Sequence, residues 1–270
     1  MFLHSGAVAS STEQLAVSVI IPAYQEESAI ADALHRLLDV LDGTDRPYEV
    51  LVVSDGSTDD TARIARGVER THISVIEYSP NRGKGYAQAL GVRETRHPLV
   101  LFMDGDLDLD PSVIPNYLDL IESGAADGVV GSKVHPDSIV DYPWTRRLLS
   151  RVFRSLTRLL IGLNLGDTQT GLKAFRRDVM ADVASQCDSQ GFTFDLELLC
   201  RLNDRGARIV EGPVILDYDF TSTVGLSAGV AALRDLYLVS RWRRRQSGTD
   251  RLSNERMRAS SSLRENGLVT

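Results

Sequence analysis

The sequence predicts an α/β protein with a mostly parallel central sheet and helices on both faces. Three observations carry that expectation. Short runs that are apolar on both faces recur along the first hundred residues. Each gives way to a polar turn and then to a stretch with helical spacing, the alternation that builds a parallel sheet buried on both sides. The acids of the turns also fall at the ends of the runs, so the fold gathers them at one edge of the sheet.

The first run, Val17 to Glu27, reads V-S-V-I-I-P-A-Y-Q-E-E. It is a strand stopped by Pro22, whose acids lead into helical periodicity from Ser28 to Leu41. Val50 to Thr61 reads V-L-V-V-S-D-G-S-T-D-D-T, a second strand ending in Asp55-Gly56. Ser57 or Thr58 is placed to cap the next helix, with Asp59 and Asp60 in its first turn. His72 to Tyr78 gives a third strand, followed by Asn81-Arg82-Gly83-Lys84-Gly85 and another helix. The fourth run, Leu99 to Phe102, follows a His-Pro break and ends in Met103-Asp104-Gly105-Asp106.

Beyond that strand, Asp104 and Asp106 are expected in the crevice above the carboxyl ends of the strands, where open α/β sheets bind ligands. Two hard oxygen donors there suit Mg²⁺ or Mn²⁺ held against a pyrophosphate. For an isolated D-x-D a solvated turn is the plainer reading, and ordinary capping explains each turn taken singly. Three strand ends carrying acids, with a glycine-flanked Lys84, count against coincidence. Gly83-Lys84-Gly85 has neither a dinucleotide fingerprint nor the spacing of a P-loop. The alternating acids from Asp104 to Asp110 are not a calcium loop, because Leu109 stands at the sixth place and Pro115 at the twelfth.

Composition fits one domain over 17–245, between a flexible segment at 1–16 and a polar, disordered tail at 246–270. A length of 270 residues with 43% hydrophobic content supplies a core. The net charge of −7 argues against nucleic acid as a partner. Cys187 and Cys200 have no metal-finger spacing and read as buried thiols in a reducing, cytoplasmic compartment. No signal-peptide pattern opens the chain, and no apolar run reaches the roughly 18 residues of a membrane span. A soluble or peripheral protein is expected.

Two amphipathic stretches bear on the membrane. Trp144 to Ile161 contains five arginines and no acid, and Arg147, Arg151, Arg154 and Arg158 form one helical stripe. Leu149, Phe153, Leu156 and Leu160 form the neighbouring stripe, widened by Leu148, Val152 and Leu159. Such a helix lies in a membrane interface or presents a solvated basic face, and the pattern leaves both open. Val230 to Arg245 repeats the theme and finishes Arg241-Trp242-Arg243-Arg244-Arg245.

The segments I-P-A-Y-Q-E-E, S-D-G-S-T-D-D-T, N-R-G-K-G and M-D-G-D-L resemble the nucleotide-binding half of family 2 glycosyltransferases with the GT-A fold, a Rossmann-like α/β architecture. Further on, G-S-K-V, W-T-R-R-L-L-S-R and D-T-Q-T-G-L-K-A-F-R-R-D are similar to the dolichyl- or polyprenyl-phosphate sugar synthases, which load mannose or glucose onto a lipid phosphate. The resemblance runs from about Val17 to about Leu216. It implies that Pro22, Tyr24, Glu26 and Lys84 meet the nucleotide-sugar, that Asp55 reads the base, and that Asp104 and Asp106 are the catalytic metal motif. Asp104 also contacts the ribose in this reading. Asp108, where the group usually has Gln, completes the metal shell. Lys133, Arg146 and Ser150 contact the acceptor phosphate. One element departs: the usual Arg and the Lys of G-x-S-K are missing from Asp217 to Ala228.

The resemblance implies an inverting, metal-dependent hexosyltransferase using a UDP- or GDP-hexose, with UDP-glucose favoured over GDP-mannose. A phosphate acceptor, with its second pKa of about 6, is largely ionised at neutral pH and needs cations rather than a base. A soluble hydroxyl acceptor, the alternative, requires a base, for which Asp195 or Glu197 is placed. A lipid acceptor implies peripheral attachment to the cytoplasmic face of a membrane and leaves room for a separate membrane-anchoring partner.

Overall fold

The computed structural model describes residues 14–69, 71–106, 108–140, 155, 157–159, 161–187, 191, 193–216, 237, 239–241 and 243. Of the expectations above, those for the two termini, for Arg146 and Ser150, for most of the basic stretch from Trp144 and for 217–228 lie outside these residues. The elements in chain order are β1 (Val17–Ala23), α1 (Ile30–Asp42), β2 (Tyr48–Asp55), α2 (Thr61–Gly67), β3 (Ile73–Tyr78), α3 (Lys84–Glu94) and β4 (Leu99–Phe102). After a short 3-10 turn come α4 (Ile114–Glu122), β5 (Gly128–Ser132), β6 (Lys173–Arg176), α5 (Arg177–Ser185), α6 (Thr193–Asp204) and β7 (Ile209–Pro213).

The strands form one sheet in the order β3-β2-β1-β4-β6-β5-β7. Neighbours are parallel except β6, which runs antiparallel to both β4 and β5. Side chains alternate across the sheet. Val17, Val19 and Ile21 of β1 therefore pack with Leu34, Leu37, Leu38 and Leu41 of α1 and with Tyr117 and Ile121 of α4. Ile20, Val100, Phe102 and Phe175 face the opposite layer, with Ala87 of α3, Met180 of α5 and Phe194 and Leu198 of α6. The expected helices on both faces are present.

Two local expectations are corrected. Pro22 does not stop β1 but lies within it, opposite Val53 of β2. The Ile20 carbonyl faces β4, accepting from the Met103 N–H at 3.1 Å. Alternation turns the Pro22 nitrogen to the same side, where β4 has already ended, so no ladder bond is lost. Ser57 and Thr58 do not cap α2, which starts at Thr61 with Asp60 at its N-cap. It is Asp59 that accepts from the Thr61 N–H, at 3.1 Å.

α3 approaches the sheet closely at Gly91. At Gly91 an added Cβ would lie 2.5 Å from Cγ2 of Ile20, a fully buried, β-branched and therefore stiff side chain. Gly91→Ala gains about 1 kcal/mol of helix propensity but overpacks at a cost of about 1–3 kcal/mol, so the packing term decides the sign. The variant should be less stable than the parent in urea denaturation. Equal or greater stability would show that α3 shifts freely.

Candidate active site

The carboxyl ends of β1, β2 and β4 open into a cleft of about 300 Å³, lined by Pro22, Tyr24, Glu26, Asp55, Lys84, Asp104 and Asp106 among others. Seven of the eight nucleotide and metal residues expected from sequence thus meet at one place; Asp108 is not among the lining residues. Tyr24 is half-exposed at its edge.

Two loops build the nucleotide end. Gln25, at φ 60°, latches the loop after β1 to the loop after β2. Its side-chain carbonyl accepts from the N–H groups of Thr58 (3.0 Å) and Asp59 (3.3 Å), and its amide donates to Thr58 Oγ1 at 3.1 Å. The Gln25 N–H donates to Ser57 Oγ, and the Glu26 N–H to Thr61 Oγ1 at 2.8 Å. Ser57 and Thr58 are thus used in holding Tyr24 and Glu26 in the cleft. Asp55 is nearly buried, and its Oδ1 accepts from Tyr78 Oη at 2.8 Å and the Arg82 N–H at 2.7 Å. With Oδ1 so occupied, no hydrogen bond falls on Oδ2 among the described residues. Gly56 has φ +68°, and a Cβ there would meet the Asn81 backbone at 2.3 Å, so only glycine lets the two loops close.

At the other end carboxylates crowd. Lys84 Nζ lies 2.5 Å from Asp104 Oδ1. Burial works against the lysine charge, but Asp104, Asp195 and Asp106 outweigh it and hold the ammonium above its usual range. Asp106 itself is exposed, yet the protein around it shields it from bulk water. That desolvation, followed by the charges of Asp104 and Asp108, raises its carboxyl. Asp108 is raised by desolvation too, with Lys133 pulling the other way. Glu26 is pushed from an ordinary 4.5 to about 7, by burial first and then by Asp106, Asp104, Asp59 and Asp108.

Among the described residues no three His, Cys, Asp or Glu side chains gather as a ready metal cage. Asp104, Asp106 and Asp108 are not drawn together as one: Asp104 is turned to Lys84, and Asp108 is exposed. The donor chemistry still fits a cation shared with a ligand. Magnesium-like ions are held by one or two carboxylates plus substrate phosphates, and the raised carboxyls of Glu26 and Asp106 mark a surplus of negative charge.

The two base candidates are both engaged. Asp195, in the first turn of α6, is buried, with Lys173 Nζ 2.9 Å from its Oδ1. That approach is ionic and not a directed hydrogen bond, so Oδ1 accepts none among the described residues. Glu197 is buried and paired with Arg201 one turn on, at 2.8 Å. Sequence reasoning passed over Gln25, Gly171 and Lys173. At Gly171 an added Cβ would stand 2.1 Å from Asp104 Oδ2, so this glycine makes the space for the metal-motif carboxylate. All three stand in the motifs quoted above, but no role could be read for them because their partners are distant in sequence. Of the cysteines, Cys200 is buried with its thiol pushed up to about 12, by burial first, and Cys187 is half-buried.

The sheet order, the helices on both faces and a cleft with a D-x-D beyond β4 define a GT-A glycosyltransferase. The chain belongs to glycosyl transferase family 2, whose profile matches residues 18–184. Glycosyltransferase AglD of Haloferax volcanii is 30% identical over 210 residues, which are 76% of this chain but only 34% of that protein's length. An undecaprenyl-phosphate mannosyltransferase of Micrococcus luteus is 30% identical over 84% of this chain and 93% of its own. A dolichyl-phosphate beta-glucosyltransferase of Drosophila melanogaster is 34% identical over 68% and 62%. Among solved structures, a glucosyl-3-phosphoglycerate synthase of Mycobacterium tuberculosis, crystallised with Mn²⁺, UDP-glucose and phosphoglyceric acid, superposes with a TM-score of 0.63 at 20% identity. It covers 84% of this chain and 80% of that one, a likeness of fold.

Two outcomes follow. Gly171→Ala should displace the Asp104 carboxylate and weaken donor binding while leaving the melting temperature nearly unchanged, and unaltered donor affinity would contradict the close contact. Glu26 has a folded value near 7, above its ordinary 4.5, so its ionisation opposes folding: the penalty is absent below about 4.5 and grows as pH rises through 7. Glu26→Gln should therefore melt above the parent at pH 8 and level with it at pH 4. Parallel pH profiles would show that Glu26 lies outside the acidic cluster.

Proposed function

We propose that this enzyme moves a hexose, with inversion, from a nucleotide-diphosphate sugar to a polyprenyl or dolichyl phosphate, with Mg²⁺ or Mn²⁺ in the cleft. The observation that carries the acceptor reading is the engagement of both base candidates. Asp195 is held against Lys173 and Glu197 against Arg201, each within 3 Å. A hydroxyl acceptor would have to give its proton to one of these. A phosphate acceptor is already an anion and needs only positive groups, and Lys133 is near enough for its charge to lower Asp108. Similarity to relatives that act on undecaprenyl and dolichyl phosphate supports the same choice.

In this reading the nucleoside lies along Pro22, Tyr24 and Asp55, with Oδ2 of Asp55 accepting from the base. Lys84 meets the diphosphate. Asp104 and Asp106, with Asp108 at the rim, would hold a divalent ion that offsets the charge gathering on the leaving diphosphate. Lys133, with Arg146 and Ser150, positions the acceptor. A phosphate oxygen then bonds to the anomeric carbon from the face opposite the leaving diphosphate, whose bond to that carbon breaks as the nucleoside diphosphate departs with the electron pair. Cationic side chains aimed at that diphosphate favour the transition state over the ground state. UDP-glucose is the preferred donor, in keeping with the D-T-Q-T-G-L-K-A-F segment and with the higher identity to the glucosyl-transferring relative.

The proposed place of action is the cytoplasmic face of a membrane, held peripherally or by a separate anchoring partner. No described helix is long and apolar enough to cross a bilayer. Leu159 and Arg158 of the basic stretch are exposed side by side, Leu159 by 80%, while Thr157 and Ile161 are buried. An exposed leucine beside an arginine is what an interfacial helix presents to lipid.

Incubating the full chain and Mn²⁺ with UDP-glucose or GDP-mannose, and with detergent-solubilised polyprenyl phosphate, should give a glycosylated lipid, most from UDP-glucose. Asp106→Ala should lower that turnover by several orders of magnitude with an unchanged melting temperature, because the residue is exposed in the cleft and leaves no core cavity. Transfer to soluble hydroxyl acceptors alone would reject the reading. A loss of only a few-fold in Asp106→Ala would make the D-x-D a structural turn.

A further inference from the structure

In the sheet β6 lies between β4, which leads into the D-x-D, and β5, which leads into Lys133. Its register with β4 reaches the pair Phe102 and Lys173, and two residues further it sets Gly171 opposite Asp104. A Cβ on Gly171 would accordingly meet the Asp104 carboxylate. Its register with β5 reaches the pair Val130 and Lys173, and the Gly131 N–H still donates to the Leu172 carbonyl at 2.9 Å. Hydrogen-bonded pairs recur at every second residue of an antiparallel ladder. The next rung would therefore run from the Lys133 N–H to the Thr170 carbonyl.

That rung is not made. The Thr170 carbonyl accepts instead from Lys173 Nζ at 2.5 Å, and the Lys133 N–H donates to Oδ2 of Asp167 at 3.3 Å. Oδ1 of the same carboxylate accepts from the Gln169 N–H at 3.2 Å. Two side chains thus take up the backbone groups released where β5 and β6 part, groups that are costly to leave unpaired. Of the two, Asp167 spans the gap, because it stands on the segment entering β6 and holds the residue that follows β5. That segment is fixed at its start by the Gly166 N–H, which donates to Glu211 Oε1 of β7 at 2.8 Å. On the other side Ser138 Oγ donates to the Ser132 carbonyl at 2.6 Å and closes the loop beyond Lys133 at its neck. One short segment, Asp167 to Gly171, therefore meets the Asp104 carboxylate at one end and the Lys133 backbone at the other.

We propose that Asp167 is a positioning residue for the acceptor phosphate: by taking the Lys133 N–H where the β5–β6 ladder parts, it fixes Lys133 to the segment that seats Asp104. The acceptor cation and the metal motif are then held in one frame, so that the attacking phosphate is placed relative to the donor. This rests on reading Lys133 as an acceptor cation. A carboxylate suits the task because its two oxygens serve two N–H donors, whereas an amide offers one oxygen and turns an NH₂ group toward the second donor.

The test measures KM for detergent-solubilised polyprenyl phosphate, with Mn²⁺ and the nucleotide-sugar that the parent uses, in the full chain. It compares Asp167→Asn, Asp167→Ala, Lys133→Gln and the Asp167→Asn/Lys133→Gln double variant, with a melting temperature for each to separate misfolding from misplacement. Asp167→Asn should raise the acceptor KM about tenfold, the scale of one hydrogen bond to a charged group. Asp167→Ala should raise it at least as far. Calorimetric affinity for UDP with Mn²⁺, or for GDP if the parent prefers it, should not change. Lys133→Gln keeps the N–H but removes the ammonium, so in that background Asp167→Asn should alter the acceptor KM by less than about twofold. Full additivity of the two changes would show that Asp167 acts on the fold and not through Lys133, and would overturn the proposal. Equal weakening of nucleotide binding would overturn it too, as would an acceptor KM that responds to Lys133→Gln but to neither Asp167 variant. An acceptor KM indifferent to Lys133→Gln, or a parent that glycosylates no polyprenyl phosphate, would instead overturn the acceptor reading, and the proposal with it.

Discussion

Glu26 lies in the loop after β1, and Asp104, Asp106 and Asp108 follow β4, the neighbouring strand. Lys84 and Lys133 are the cations whose charge lowers Asp106 and Asp108 respectively. Four carboxylates sharing two such ammonium groups leave negative charge unbalanced in a partly desolvated cleft, and the rest of the site follows from that shortage. Coulomb repulsion at this separation grows as the local dielectric falls. A divalent cation and a diphosphate entering together would bring to the cluster a metal charge that only part of the diphosphate's own charge offsets.

The fold concentrates the acids without spending hydrophobic core on them. Because β1, β2 and β4 are parallel, their carboxyl ends share one edge, while Val19, Ile21, Leu99 and Leu101 keep the sheet below it fully buried. The nucleotide loops close on each other through Gln25 and the bare Cα of Gly56, and the Asp104 carboxylate fits only because Gly171 has no side chain. The cleft is thus preorganised by close backbone approach at one end and by the seating of Asp104 between Gly171 and Lys84 at the other.

Much of this is legible in the sequence, for definite reasons. Runs apolar on both faces with an acid at the end can be read locally, which places β1, β2, β4, Asp55, Asp104 and Asp106. What needs distant partners cannot be read in this way. The continuation of β1 through Pro22 depends on where β4 stops. The reversal of β6 depends on a return from residues far along the chain. Ser57 and Thr58 carry good capping side chains but spend them on Gln25, 32 or more residues away in sequence. Asp195 looks like a base in a helical first turn until Lys173, from another strand, is seen beside it.

We propose that the acidic cleft is completed only by a divalent cation shared between its carboxylates and a diphosphate. Titrating Mn²⁺ calorimetrically into the full chain, with and without saturating nucleoside diphosphate, measures that coupling directly. The account predicts weak Mn²⁺ binding alone, a gain of about tenfold or more with UDP, and loss of the gain in Asp106→Asn. Mn²⁺ affinity that is the same with and without UDP or GDP, or a gain that survives in Asp106→Asn, would contradict it.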